Sequence, residues 1–288
     1  MSAQPITPEL RAWILAQSAA GQSPDALVAA MRASGWSSDA ARMALQATLP
    51  ADRLVGFGSV ADGAASAVVV TPVPDPLADG SGVALDAGDR TVSVLASLQN
   101  PRVVVFGGLL SDDECDAMVE MARERLARSE TVQTHTGTSE INAARTSEGM
   151  FFERGESELC SRIEARIAAL LRWPVENGEG LQVLRYRPGA EYKPHYDYFD
   201  PAQSGTPALL SRGGQRVASL ICYLSTPAKG GATVFPDVGL EVASIKGNAV
   251  FFSYDRADPD TRTLHGGAPV HEGEKWVATK WVRERRFD

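Results

Sequence analysis

The sequence predicts an α+β protein: a jelly-roll β-sandwich with helices packed on one sheet, plus a small N-terminal three-helix module. Three observations predict it. After Gly180 the chain reads as about eight short strands, punctuated by Pro-Gly, Gly-Gly and Lys-Gly steps. Two helical patterns stand ahead of those strands, over about 111–128 and 156–172. The first 50 residues carry helical signals only, and 288 residues fit two domains at roughly 150 each.

The elements follow in order. Leu10, Trp13, Ile14 and Ala16–Gln17 begin an amphipathic helix that breaks at Gly21. Ser23-Pro24 restarts a helix with proline in its first turn, and Leu27, Val28 and Met31 share one face before it ends near Gly35. Ser37-Ser38-Asp39 can cap a third helix containing Ala41, Met43, Ala44 and Leu45. Residues 51–90 are rich in Ala, Gly, Val, Pro and Asp and read as a linker. From Thr91, TVSVLAS and VVVFGGL (103–109) read as strands. Ser111 and Glu114 have capping-box spacing and open a helix running to about Arg128. The next helix, about Glu156–Arg172, places Leu159, Ile163, Ile167 and Leu170–Leu171 at helical intervals. The strands then fall at 181–187, 191–198, 216–225, 232–235, 240–244, 248–254, 262–266 and 275–283. The resulting division is a helical module at 1–50, a linker at 51–90 and a main domain at 91–288.

Composition excludes several classes. A formal charge of −8 speaks against nucleic acid as a partner, because neutralising phosphates takes basic surface. No apolar run is long enough to span a membrane. The N-terminal stretch lacks the basic segment of a secretory signal, so none is expected. Cys115, Cys160 and Cys222 stand apart with no CxxC, which argues against a disulfide framework and fits a reducing, cytoplasmic compartment.

The chemistry concentrates in scarce residue types. Of four histidines, His195 stands in His-x-Asp with Asp197, and His265 lies on a later predicted strand. Residues i and i+2 of a strand share a face, so His195 and Asp197 can converge on one ion. Two histidines and one carboxylate form the facial triad of non-haem Fe(II) oxygenases, which leaves open positions on the metal. Core histidines offer an alternative reading of the same pair. Lys275, one of five lysines, begins the strand after His265 and can face the same cavity. A lysine buried there needs an anion, and a dicarboxylate reaching from the metal would supply it; otherwise it is a surface hairpin residue. His135 reads as solvated and His271 as a turn residue.

Several ordered phrases carry a family resemblance: LLSDDECDAMVEMA (109–122), ARTSEGMF (144–151), LQVLRYRPGAEYKPHYDYFDP (181–201), GGQRVASLICYLS (213–225), KGGATVFP (229–236), IKGNAVFF (245–252) and LHGGAPVHEGEKWVATKWVRE (264–284). From about Asn100 to Arg283 the sequence resembles the prolyl 4-hydroxylase branch of the Fe(II)/2-oxoglutarate dioxygenases, whose core is a double-stranded β-helix. The resemblance implies that His195, Asp197 and His265 hold Fe(II) and that Lys275 pairs with the distal carboxylate of 2-oxoglutarate. It implies that Tyr186 and Thr233 support that carboxylate, and that Tyr192, Arg216, Trp281 and Arg145 meet the substrate; core aromatics are the alternative reading for Tyr186 and Trp281, and a structural ion pair for Arg216. Segment 134–144 resembles a substrate-covering loop. In one departure, Gly-Gly-Ala-Thr replaces the commoner Gly-Gly-Glu-Thr, so Ala232 brings no carboxylate.

The activity so implied is hydroxylation of prolyl residues in a peptide or protein, consuming O2 and 2-oxoglutarate and releasing succinate and CO2, with ascorbate as a reductant. A free amino acid or a non-proline residue is the alternative substrate, and a non-catalytic metal-binding jelly roll is the alternative class. The run from Met31 to Leu45 resembles ubiquitin-associated three-helix modules, which implies that residues 1–50 dock a protein partner. Packing on the main domain or self-association is the competing reading.

Overall fold

Period-two alternation builds one large sheet whose two faces do different work. The computed structural model describes residues 6–33, 36, 38–50, 53–54, 71–80, 82–128, 130–132, 139–141 and 146–288. The chain divides into two units, Met1–Val69 and Val70–Asp288.

In the first unit the helices are Pro8–Ala19, Pro24–Ala33 and Ser38–Gln46. Thr7 caps the first by accepting from the Leu10 amide (3.3 Å), and Ser23 accepts from Ala26 at the second (3.2 Å). Gly21, at φ +87°, makes the turn between them. Ile14, Leu27, Val28, Met31, Ala41, Ala44 and Leu45 form the core. Met43, read with this helix, points outward and is 65% exposed. Ser34, Gly35 and Ser37 lie outside the described residues. The helical unit extends past residue 50, because Leu54 packs on its core and Arg53 donates to the Ser18 carbonyl.

The stretch 51–90 is therefore not linker throughout. Its end also belongs to the second unit: Val73 and Leu77 pack on that unit's core, and Ala84–Asp86 pairs with Thr91–Leu98. Apolar residues spaced among Pro and Asp sufficed for this packing without a readable period.

The nine-stranded sheet has the order Ala84–Asp86, Thr91–Leu98, Arg102–Gly107, Ala249–Ser253, Arg216–Tyr223, Lys275–Arg283, Gly178–Tyr186, Glu148–Phe152 and Ala127–Arg128. Each neighbouring pair is antiparallel. A four-stranded sheet of Leu240–Val242, Thr233–Phe235, His265–Gly267 and Tyr192–His195 faces it. Strands between 178 and 283 pass back and forth between the two sheets, which makes the jelly roll. One face of the large sheet, through Leu181, Val183, Leu220, Trp276 and Ala278, packs on helices Asp112–Arg123 and Glu158–Leu171. The other, through Leu184, Tyr223, Phe252 and Val277, packs toward the small sheet.

Several expected boundaries move. The helix expected to reach Arg128 ends at Arg123, and Ala127–Arg128 becomes an edge strand against Glu148–Phe152. Arg125 turns the chain there by donating to the Phe151 carbonyl (3.0 Å) and pairing with Glu156. The strand expected over 191–198 stops at His195, and that expected over 262–266 begins only at His265. His271 lies on strand Val270–Glu272 rather than in a turn, because this segment pairs with Lys229–Gly230.

Arg166 ties the helices to the sheet. The Ser111–Glu114 capping box is formed, and Glu114 then accepts from Arg166 through both oxygens at 2.7 and 2.8 Å. Arg166 also donates to Asp89 (2.7 Å) and the Leu109 carbonyl (2.9 Å) while almost fully buried. Arg166 holds the Glu114 carboxyl down to about 2, so this contribution is complete above the ordinary value of 4.5 and fades as pH falls toward 2. Arg166→Ala removes the two-bond partner of Glu114 and leaves it the half-exposed Arg162 at 3.1 Å, and is expected to cost about 3 kcal/mol in urea unfolding near neutral pH.

Candidate metal centre

Antiparallel register brings the two histidines together. Tyr192–His195 pairs with His265–Gly267 so that His195 and His265 are direct partners. Their rings lie 4.4 Å apart between centroids. Asp197 follows the end of the strand, in a bend, so the turn rather than strand alternation returns its carboxylate to the histidines. Asp197 Oδ1 stands 3.5 Å from His195 Nε2, and its Oδ2 stands 3.5 Å from His265 Nε2. Among the described residues, no other cluster of His, Cys, Asp and Glu side chains converges in this way.

Protonation suits a cation. His195 Nδ1 lies 2.9 Å from the Lys193 carbonyl, and His265 Nδ1 lies 3.0 Å from the Thr263 carbonyl. Donation from each Nδ1–H to a carbonyl leaves Nε2 as a lone pair aimed at the centre. Burial lowers His265 to about 4, keeping it neutral. Burial alone would raise Asp197, but His265, His195 and Arg216 hold it well below the usual carboxylate range. Tyr192 stacks on the His195 ring at 3.7 Å, and Phe252 packs on His265 at 4.4 Å. Two neutral imidazole nitrogens and one carboxylate fit Fe(II) with positions left open.

A cavity opens from this cluster. Lys275, Tyr186, Thr233, Tyr192 and Trp281 line it. Lys275 and Tyr186 are register partners on adjacent strands, and Thr233 accepts from the Tyr223 hydroxyl at 2.9 Å. Lys275 is 3% exposed, and no carboxylate among the described residues pairs with it. Burial lowers its ammonium to about 7. A buried cation facing a metal-type cluster across one cavity suits an anion that spans the two, such as a dicarboxylate.

Not every expected residue enters the cavity. Arg216 is bound in a fork to Glu179 (2.7 and 2.9 Å) and stacks under Trp281 at 3.9 Å, so it supports the wall rather than lining it. Arg145 and His135, with most of segment 134–144, lie outside the described residues. Thr146 exchanges hydrogen bonds with the Glu191 backbone and so ties the end of that segment beside Tyr192. Ala232 uses its carbonyl to accept from Ala268 and adds no charge. Gln182, Leu184, Val277 and Thr279 also line the cavity. Counting in twos from Tyr186 and Lys275 would have found them.

Comparison with known proteins agrees with this geometry. Residues 181–283 match the 2OG-Fe(II) oxygenase superfamily. Prolyl 4-hydroxylase 2 of Arabidopsis thaliana is 40% identical over 211 residues, covering 65% of this chain and 69% of that protein. The chain belongs to the prolyl 4-hydroxylase family. Prolyl 4-hydroxylase 5 of the same plant is 39% identical over 221 residues, covering 69% of this chain and 74% of the relative. A viral collagen prolyl hydroxylase from Paramecium Bursaria Chlorella virus-1, solved with 2OG, is 32% identical and covers 63% of this chain and 95% of that one, with a TM-score of 0.48. The family's Fe(II), 2-oxoglutarate and O2 therefore apply here, and the His-Asp-His cluster suits the iron.

Lys275 makes the fit testable without catalysis. Between about pH 7 and 10.5 the unfolded chain holds this proton and the folded, anion-free chain does not, so stability rises with pH across that window. Below 7 both forms are charged and the full cost of burying the ammonium remains. Lys275→Met should therefore stabilise the metal-free protein at pH 7, and the gain should shrink toward about pH 10. Urea titrations of the two proteins at several pH values measure this difference.

Proposed function

We propose that this protein hydroxylates prolyl residues of a peptide or protein while 2-oxoglutarate is decarboxylated to succinate and CO2. The observation carrying the reading is the buried Lys275, paired with no carboxylate among the described residues and set across one cavity from His195, Asp197 and His265. When bound, the iron supplies the oxidising power that places oxygen on a C–H bond.

The chain's own residues do the rest. His195, His265 and Asp197 would hold the iron through one donor atom each. Lys275 binds the far carboxylate of 2-oxoglutarate, with Tyr186 beside it and the Thr233 hydroxyl at the same wall. Leu184, Ile221 and Val277 make the intervening wall apolar and keep water from the reacting atoms. Tyr192 and Trp281 offer flat aromatic faces, which suit a prolyl ring without requiring a charged substrate.

The test incubates the full chain with Fe(II), 2-oxoglutarate, O2 and proline-rich peptides. Succinate and one added oxygen on proline are expected, and absence of both would sink the reading. Faster turnover of free proline than of peptides would move the substrate to an amino acid. His195→Ala should abolish turnover. Lys275→Ala removes a charge-assisted contact and should raise the 2-oxoglutarate requirement roughly 10- to 100-fold, as read from initial rates.

A further inference from the structure

We propose that Tyr254 and Ser219 form a directed hydroxyl relay that fixes the orientation of Asp197 and leaves Oδ1 as the oxygen it presents to the metal. The inference rests on Asp197 being a metal ligand, as proposed above. Asp197 needs such a device because it lies in a bend beyond the strand that holds His195, where no backbone ladder sets its carboxylate.

Ser219 supplies the first link. It sits fully buried on central strand Arg216–Tyr223, opposite Phe252 on one neighbour and Trp281 on the other. Its Oγ lies 2.6 Å from Asp197 Oδ2 and 3.1 Å from the Tyr254 hydroxyl. An ionised carboxylate can only accept, so the single Ser219 proton goes to Asp197. The Tyr254 hydroxyl must then be the donor into Ser219 Oγ. Burial and the Asp197 charge both raise the Tyr254 phenol well above 10, which keeps that proton in place. Donation runs one way, from Tyr254 through Ser219 to Oδ2, and each bond polarises the next.

The relay stands on a rigid frame. The Tyr254 amide donates to the Val217 carbonyl at 2.9 Å, fixing its backbone to Ser219's strand. Its ring meets Tyr198 edge-on at 6.0 Å and Phe252 at 6.3 Å. With Oδ2 engaged by a short, charge-assisted bond, the lone pairs of Oδ1 remain the stronger donors. Neither hydroxyl touches the reacting atoms, so both are positioning residues.

Co(II) added to the metal-free full chain tests this, read by titration and by the ligand-field absorption spectrum, without 2-oxoglutarate or peptide. Ser219→Ala should weaken Co(II) binding about 10- to 100-fold and shift the ligand-field bands. Tyr254→Phe, which keeps the ring, should produce a smaller loss and a shift in the same direction. Because Tyr254 acts only through Ser219, adding Tyr254→Phe to Ser219→Ala should change nothing further. Wild-type affinity and spectrum in either single variant would overturn the relay, as would a Tyr254→Phe effect that persists undiminished without Ser219. A wild-type chain that binds Co(II) but hydroxylates no prolyl peptide would remove the proposed activity and leave the relay intact.

Discussion

Register between two short strands carries the centre of this molecule. Pairing His265 with His195 sets two imidazoles side by side, tilted, with centroids 4.4 Å apart, although each belongs to a strand of only three or four residues. A one-residue slip would turn one of them to the opposite side of the small sheet. The register is held from outside the pair: Thr233–Phe235 buttresses the His265 strand, and Phe235 and Phe252 pack near the His265 ring. Gly266 allows the approach, since a Cβ there would lie 2.8 Å from the Tyr192 carbonyl. Asp197 completes the cluster from beyond the strand.

Buried charge separates the two faces of the large sheet. Lys275 and Lys280 lie on the same strand and are equally buried. Their spacing of five puts them on opposite faces. Lys280 faces the helices and pairs with Glu164 at 2.5 Å. Arg166, on the same side, pairs with Glu114 and Asp89. Lys275 faces the cavity and meets no carboxylate among the described residues. On the helix side, charge is neutralised internally and contributes to the fold. On the cavity side Glu179 neutralises Arg216 but the anion for Lys275 is left for a ligand, and the chain accepts a local loss of stability where it binds. Such a division is what a binding face on a rigid scaffold requires.

Much of this was legible in the chain. The strand spans after 180 were readable because turn residues interrupt them, and the two helices because Leu and Ile recur on one face. His195, Asp197, His265 and Lys275 stood out as rare residue types in ordered phrases. Arg216 was misleading for a physical reason. The family resemblance implied a substrate contact, but its partner Glu179 sits on strand Gly178–Tyr186, two places away in the sheet across Lys275–Arg283, and Arg216 forms a structural ion pair. Ser219 and Tyr254 gave no sign at all, being a serine and a tyrosine in strand-rich segments with no shared motif.

The linear pattern determined which residues could do chemistry and on which face of each strand they lie, because alternation and turn preference are local properties of the backbone. Tertiary structure decided which of those faces meet. The ladder aligned His265 with His195, a bend rather than a strand delivered Asp197, and Glu179 drew Arg216 out of the cavity. Pairing register and charge neutralisation act between residues far apart in the chain, where no local preference can express them.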